Sequence, residues 1–392
     1  MKKTLTAGIA LAGVVAALAG CSPQSTADAD EVRILFSAPL SGDSAESGQA
    51  LLNGAELAAD IINEAGGAGG RTVVIEAADD EMTTQAANSI ASKFAADPKY
   101  FALAGFLDTG LAQAASVVAN RSELSLISSF GCGDSLVTDA DNVFVMCAAP
   151  DANGRVAASF IADQIPGATF VSISIDVPQL DFYFNGLQAV TDDRDLTWAS
   201  REVYPPSATD YATVVTNALA SSPDAIVSGS LQASAAQVLS QIRRTDPDVL
   251  YVDMLGEGWG STFLDTAGDA AIGAYTQDLG LGFGGDDADR VAILDRYQDE
   301  HGTVMSAAAQ HGYDTIVAIA AAADAGATRE DLEDKLAEID ADGVTGPISF
   351  ANGKRADERV ISISEITGTA PEDRTVLAQY TVTSDGKISL FE

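Results

Sequence analysis

Gly105-Phe106-Leu107-Asp108-Thr109-Gly110 (GFLDTG) joins an apolar run, Tyr100-Phe101-Ala102-Leu103-Ala104, to a helical pattern running from Leu111 to Asn120. The run reads as a buried strand, so Asp108 and Thr109 stand where a parallel strand turns into a helix. In an open α/β sheet, ligands bind outside the carboxyl ends of the strands. The first turn of a helix there offers free N–H groups and partial positive charge, which suits an anion such as a carboxylate. The same two side chains also suit a plain N-cap, and the local sequence leaves both readings open.

Outward from this turn, strands and helices alternate. Glu31 to Ser37, Thr72 to Ala78, Lys99 to Ala104, Leu124 to Ile127 and Asn142 to Met146 read as strands. Between the first two lies an amphipathic helix, Gln49 to Glu64, with Leu51, Ala55, Ala58 and Ile62 on one face. Gly66 to Arg71 is glycine-rich, but it follows a helix and precedes a strand, the reverse of the order a phosphate loop needs. Pro150 to Gly154 breaks the pattern and marks a crossing between domains. The alternation then resumes, with strands at Thr169 to Ile175, Thr197 to Tyr204, Ala225 to Val227 and Val249 to Val252. Such alternation means βαβ units and parallel sheets, and its repetition on both sides of residue 150 predicts two similar lobes. Three helices (Ala288 to His301, Ala307 to Ala323, Thr328 to Glu338) and a β region from Gly346 complete the chain.

The 392 residues suffice for two domains with proper cores. Apolar residues make up 47% and charged ones 20%, a globular balance. The net charge of −36 repels nucleic acid and anionic membrane surfaces. Lys2-Lys3 followed by the apolar Leu5 to Leu18 reads as a signal peptide, too short and too rich in Gly and Ala for a membrane span. It ends in Leu18-Ala19-Gly20-Cys21, which resembles the lipobox of bacterial lipoproteins; an ordinary cleaved signal with an incidental Cys is the alternative. The lipobox implies lipidation of Cys21 and extracytoplasmic anchoring at the cell membrane, with several acyl chains giving stable attachment. Ser22 to Asp30 reads as a flexible tether. Cys132 and Cys147 then form an even pair in an exported chain, read as a disulfide or as two buried thiols. No His pattern beside them suggests zinc.

Ala38–Gly42 (APLSG), Asn53–Arg71 (NGAELAADIINEAGGAGGR), Tyr204–Val215 (YPPSATDYATVV) and Asp342–Phe350 (DGVTGPISF) resemble the leucine/isoleucine/valine-type solute-binding proteins of ABC transporters, over roughly residues 31–390. The resemblance implies an α/β type I periplasmic-binding-protein fold, with two Rossmann-like lobes of parallel sheet joined by three hinge crossovers. Lobe 1 is expected over 31–150 plus 276–355, and lobe 2 over 151–275 plus 356–392. It further implies a monomer without cofactor that closes on a small polar solute and docks on a permease driven by a separate ATPase.

For the site, the resemblance implies that Thr109 gives a hydroxyl to a ligand carboxylate. Phe130 and Cys132 occupy the places of a backbone carbonyl and a hydroxyl in the next loop. Glu257, in Gly256-Glu257-Gly258, corresponds to the acid that pairs with a ligand ammonium, and Tyr183 to an aromatic that covers the ligand. Ser47 stands where many relatives carry an aromatic, and Cys132 where they carry a hydroxyl donor. Asp108 stands where they often have a small or apolar residue, and Leu231 and Gln232 where an aromatic is expected. An extra carboxylate at Asp108 favours a ligand with more donors, such as a cationic or amide-bearing compound. A binding sensor that signals through a membrane receptor is the alternative to transport. No GxSxG elbow, HExxH motif or Cys–His arrangement points to an enzyme. His301 and His311, the two histidines, read as structural.

Overall fold

The structure, a computed structural model, describes residues 30–42, 44–140, 142–177, 180–256, 261–278, 288–371 and 373–391. The signal segment, Cys21 and most of the tether, Glu257 and the glycine-rich 280–285 lie outside the described residues.

The first half alternates strictly: β1 (Glu31–Ala38), α1 (Ala45–Glu64), β2 (Thr72–Asp79), α2 (Thr84–Ala96), β3 (Ala102–Gly105), α3 (Thr109–Asn120), β4 (Leu126–Ser128), the single turn α4 (Ser135–Thr138) and β5 (Val143–Val145). These strands form one parallel sheet in the order β2-β1-β3-β4-β5. The second half continues with α5 (Ala152–Gln164), β6 (Thr169–Ile175), α6 (Asp181–Asp193), β7 (Thr197–Tyr204), α7 (Ala212–Leu219), β8 (Ala225–Gly229), α8 (Gln232–Thr245), β9 (Leu250–Asp253), α9 (Ser261–Ala267) and β10 (Tyr275–Asp278). Then come α10 (Ala288–His301), α11 (Ala307–Asp324), α12 (Leu332–Leu336), β11 (Asp340–Gly343), β12 (Gly346–Ser349), β13 (Glu358–Ile366), β14 (Arg374–Thr383) and β15 (Ile388–Leu390). The second sheet has the order β15-β14-β13-β10-β9-β8-β6-β7, parallel from β10 to β7 and antiparallel at β13 to β15.

The central strands of each sheet are buried on both faces, which is why they read as near-continuous apolar runs. Leu51, Ile316, Ile319 and Phe350 belong to the core on one face of the first sheet, and Phe94, Phe106 and Leu111 to the core on the other. The second sheet is wrapped by one large core containing Phe160, Leu187, Leu239 and Phe263. α10 to α12 and the β11–β12 hairpin pack with the first sheet, while β10 pairs within the second. The chain therefore passes between sheets after β5, after β10 and after β12. α12 is shorter than its sequence pattern suggests, because Thr328 and Asp331 close a turn of their own, with the Thr328 N–H donating to Asp331.

Both lobes use the same packing device. At the crossing of α1 and α11, a Cβ on Gly54 would stand 1.8 Å from the Ala309 carbonyl oxygen, and one on Gly312 would stand 2.0 Å from that of Leu51. At the crossing of α5 and α6, a Cβ on Gly154 would stand 1.7 Å from the Tyr183 oxygen, and one on Gly186 would stand 2.0 Å from that of Asp151. Each pair of helices meets backbone to backbone, an approach that only glycine allows.

Candidate functional site

The turn after β3 is built by hydrogen bonds among three strand ends. The Phe106 N–H donates to Ser37 O (2.8 Å), the Ser129 N–H to Gly105 O (2.6 Å), and those of Phe130 and Gly131 to Phe106 O (3.2 and 3.1 Å). Phe106, fully buried, takes a φ of +66°, a left-handed conformation rare for a bulky residue and held here by those bonds. The ends of β1, β3 and β4 thus form one rigid floor.

On that floor Asp108 is the N-cap of α3, its Oδ1 accepting from the Leu111 N–H at 3.0 Å. Thr109 opens the helix, and its Oγ1 accepts from the Gly133 N–H at 3.0 Å. A hydroxyl that accepts keeps its own proton to donate. The N–H groups of Thr109 and Gly110 belong to the helix's first turn, which has no intrahelical acceptors. An anion above this turn would meet one hydroxyl and the positive end of the helix dipole.

The turn after β4 carries the other first-lobe candidates. Cys132 and Cys147 are disulfide-bonded, with Cα atoms 5.6 Å apart. The Cys132 sulfur lies 3.1 Å from the Phe130 carbonyl oxygen. Carrying no proton, it leaves that carbonyl free to accept from another donor. The half-buried Phe130 ring meets His311 edge-on, with centroids 5.2 Å apart. His311 is buried, and its Nδ1–H donates to Ala307 O at 2.9 Å. Burial first, and the Arg359 charge second, push its pKa down from 6.5 to about 3, so the ring is neutral. Thr315 of α11 donates to the His311 carbonyl at 2.7 Å and accepts from Ser129 Oγ at 2.8 Å, which ties the same loop to α11.

Behind the loop, the buried guanidinium of Arg355 donates to the carbonyls of Cys132 (3.0 Å), Cys147 (3.2 Å) and Ala148 (3.0 Å), and to Asp134 Oδ1 (3.0 Å). Arg359, equally buried, pairs with Asp314 of α11 at 3.2 Å. Sequence reading passed over Arg355, Ser129, Thr315 and the Gly133 N–H. The signal for Arg355 was a cation at the edge of an apolar β region in a strongly acidic chain.

The second lobe presents the carboxyl ends of β6, β8 and β9. Tyr183 is the third residue of α6; its half-buried side chain packs against the second core, and burial raises its hydroxyl pKa. Phe182 beside it is 48% exposed and Leu231, before α8, 46% exposed; in the first lobe, Met82 in the turn after β2 is 42% exposed. Ser47 is exposed on the first turn of α1, at the carboxyl end of β1. The fold thus gathers Asp108, Thr109, Phe130 and Cys132 on one floor, and puts Ser47 and Tyr183 at other strand ends.

This chain of two α/β lobes matches a known family, whose model, described as periplasmic binding protein, covers residues 31–368. The chain belongs to the periplasmic binding protein family. As a periplasmic binding protein it is one of a family of binders rather than enzymes. A Leu/Ile/Val-binding protein homologue of Brucella abortus is 26% identical over 343 residues, 85% of this chain and 87% of that protein. An amino acid binding protein of Pseudomonas aeruginosa is 29% identical over 248 residues, 62% of this chain and 64% of that protein. Among solved structures, the branched-chain amino acid transporter substrate-binding protein LivJ of Streptococcus pneumoniae, in complex with isoleucine, superposes with a TM-score of 0.74 at 24% identity, over 88% of this chain and 99% of that one. A solute-binding protein of an ABC transporter from Rhodopseudomonas palustris, in complex with 3,4-dihydroxybenzoic acid, does so with 0.76 at 17% identity, over 91% and 99%. These likenesses establish the fold. No helix among the described residues is long and apolar enough to cross a membrane.

Proposed function

We propose that this periplasmic binding protein is an extracytoplasmic lipoprotein, anchored through Cys21, that captures an amino acid or amino-acid-like small polar solute between its lobes for the permease of an ABC importer. The observation that carries this reading is the Thr109 hydroxyl, spare proton available, over the open first turn of α3. The solute carboxylate sits there. Its ammonium meets the Phe130 carbonyl and Glu257, and Tyr183, Phe182 and Leu231 receive its side chain. Cys132, disulfide-bonded, shapes the loop without donating. Asp108 gives one carboxylate oxygen to the helix and keeps the other for a donor on the solute, which extends the ligand class to amides and cations. The lobes close by hinge motion; since β10 pairs in the second sheet, they divide as 31–150 plus 288–355 and 151–278 plus 356–392 rather than with a boundary at 275/276. Similarity to proteins whose names specify Leu/Ile/Val or amino acid binding supports this class of solute.

A thermal-shift screen against amino acids, amides, urea and polyamines tests it. A bound solute raises stability by about 2.7 kcal/mol at a hundredfold excess over its Kd. Thr109→Val should weaken binding roughly tenfold or more, the loss of one hydrogen bond to a charged group. A panel without a single hit, or a Thr109→Val variant with full affinity for every hit, refutes the assignment.

A further inference from the structure

Arg355 stands where three stretches of chain meet. Its own stretch runs alongside β5, with the Val145 N–H donating to Lys354 O (2.8 Å) and the Ala356 N–H to Val145 O (2.9 Å). Only Asp357 separates this pairing from β13, which belongs to the second sheet. On the other side, β5 runs through Cys147 and Ala148 into the crossover that reaches α5. One guanidinium nitrogen binds the Cys147 and Ala148 carbonyls, while the other binds the Cys132 carbonyl and Asp134. The disulfide ties Cys132 to Cys147 alone; the guanidinium also ties both to Ala148 and to the crossover at 356–357.

A buried cation is costly unless its hydrogens are satisfied. Here four acceptors engage the planar fork, and the one carboxylate among them has a side chain 57% exposed. Backbone carbonyls therefore do most of the holding, an arrangement that a lysine, with one nitrogen and no fork, cannot reproduce.

We propose that Arg355 is a positioning residue for solute binding: it fixes the Phe130–Cys132 turn to both crossovers, so that the turn moves with the hinge rather than apart from it. This rests on the reading of the cleft as a solute site. A guanidinium that only stabilised the fold would lower the melting temperature when replaced and leave the affinity of the folded protein unchanged. A positioning guanidinium sets the affinity as well, because the Phe130 carbonyl must face the bound solute in one orientation.

The test titrates wild type, Arg355→Met, Arg355→Lys and Asp134→Asn calorimetrically with leucine, isoleucine, glutamine, arginine and 3,4-dihydroxybenzoate, well below each melting temperature. For whichever solute the wild type binds, Arg355→Met and Arg355→Lys should each lose at least about tenfold in affinity. Asp134→Asn, which keeps the three carbonyl contacts, should lose less than Arg355→Lys. Hydrogen exchange of the solute-free variants should rise together at 129–134 and 147–149. Wild-type affinity in folded Arg355→Met and Arg355→Lys overturns the proposal while the solute-site reading stands. Should Arg355→Met fail to fold, Arg355→Lys alone decides in the same way. A wild type that binds none of the five overturns the reading beneath it.

Discussion

Replacing His311 by glutamine should flatten the response of the protein to mild acid. The wild-type imidazole is 2% exposed, and its pKa is pushed from 6.5 to about 3, chiefly by burial and then by the Arg359 charge. In the unfolded chain the ring takes its proton near 6.5. Between those values only the unfolded chain binds the proton, so acid favours unfolding, and the full stability contribution is present above pH 6.5. At about 1.4 kcal/mol per pH unit, the wild type should lose roughly 2–3 kcal/mol through this one group between pH 7 and pH 4.5. Glutamine cannot titrate and keeps an N–H for the Ala307 carbonyl. Carboxylates with lowered values, such as Glu76 at about 2, act equally in both proteins and cancel in the difference. Urea unfolding of wild type and His311→Gln at the two pH values measures it. Parallel losses in the two proteins would show that His311 titrates as in water, and would refute its burial beneath Phe130.

Two other perturbations bear on the scaffold. Gly312→Ala drives a methyl group to 2.0 Å from the Leu51 carbonyl oxygen; it should destabilise the first lobe by about 1–3 kcal/mol, the range for overpacking, read as a lower urea midpoint. Cys132→Ala with Cys147→Ala opens a loop of sequence separation 15 and should lower stability by about 3 kcal/mol in the chain-entropy model, with a matching loss in wild type under a thiol reductant.

The alternation of strands and helices was legible because the central strands of both sheets are buried on both faces. Runs such as Arg33-Ile34-Leu35-Phe36 and Phe101-Ala102-Leu103-Ala104 cannot be read otherwise when helices of regular length separate them. The turn at Gly105 to Gly110 was legible for the same reason, since an apolar run ending in Gly and followed by an N-cap pattern has few other meanings. What Asp108 does was not: a carboxylate before a helix serves the helix or a ligand equally well, and only the Leu111 contact shows one oxygen engaged. The partners of the site loops were hidden because they are remote in sequence. Arg355 lies 223 residues from Cys132, and Thr315 lies 186 from Ser129. Local patterning carries no information about such pairs. Short elements such as α9 and β15 were missed because a few residues show no period.

The glycine crossings bear on how the molecule deforms. Where two helices touch through side chains, rotamers can repack and the helices can slide, so motion spreads into the core. Where they touch through carbonyl oxygens and Cα atoms, as at Gly54 with Gly312 and at Gly154 with Gly186, there is nothing to repack. Those helix pairs are then stiff joints, and in the proposed closure the displacement falls on backbone torsions in the connecting segments. Two of those segments, near 148 and near 356, are held side by side by Arg355. The proposed closure then draws on a few dihedral angles in those segments, and the entropy it costs is that of those angles rather than of two cores.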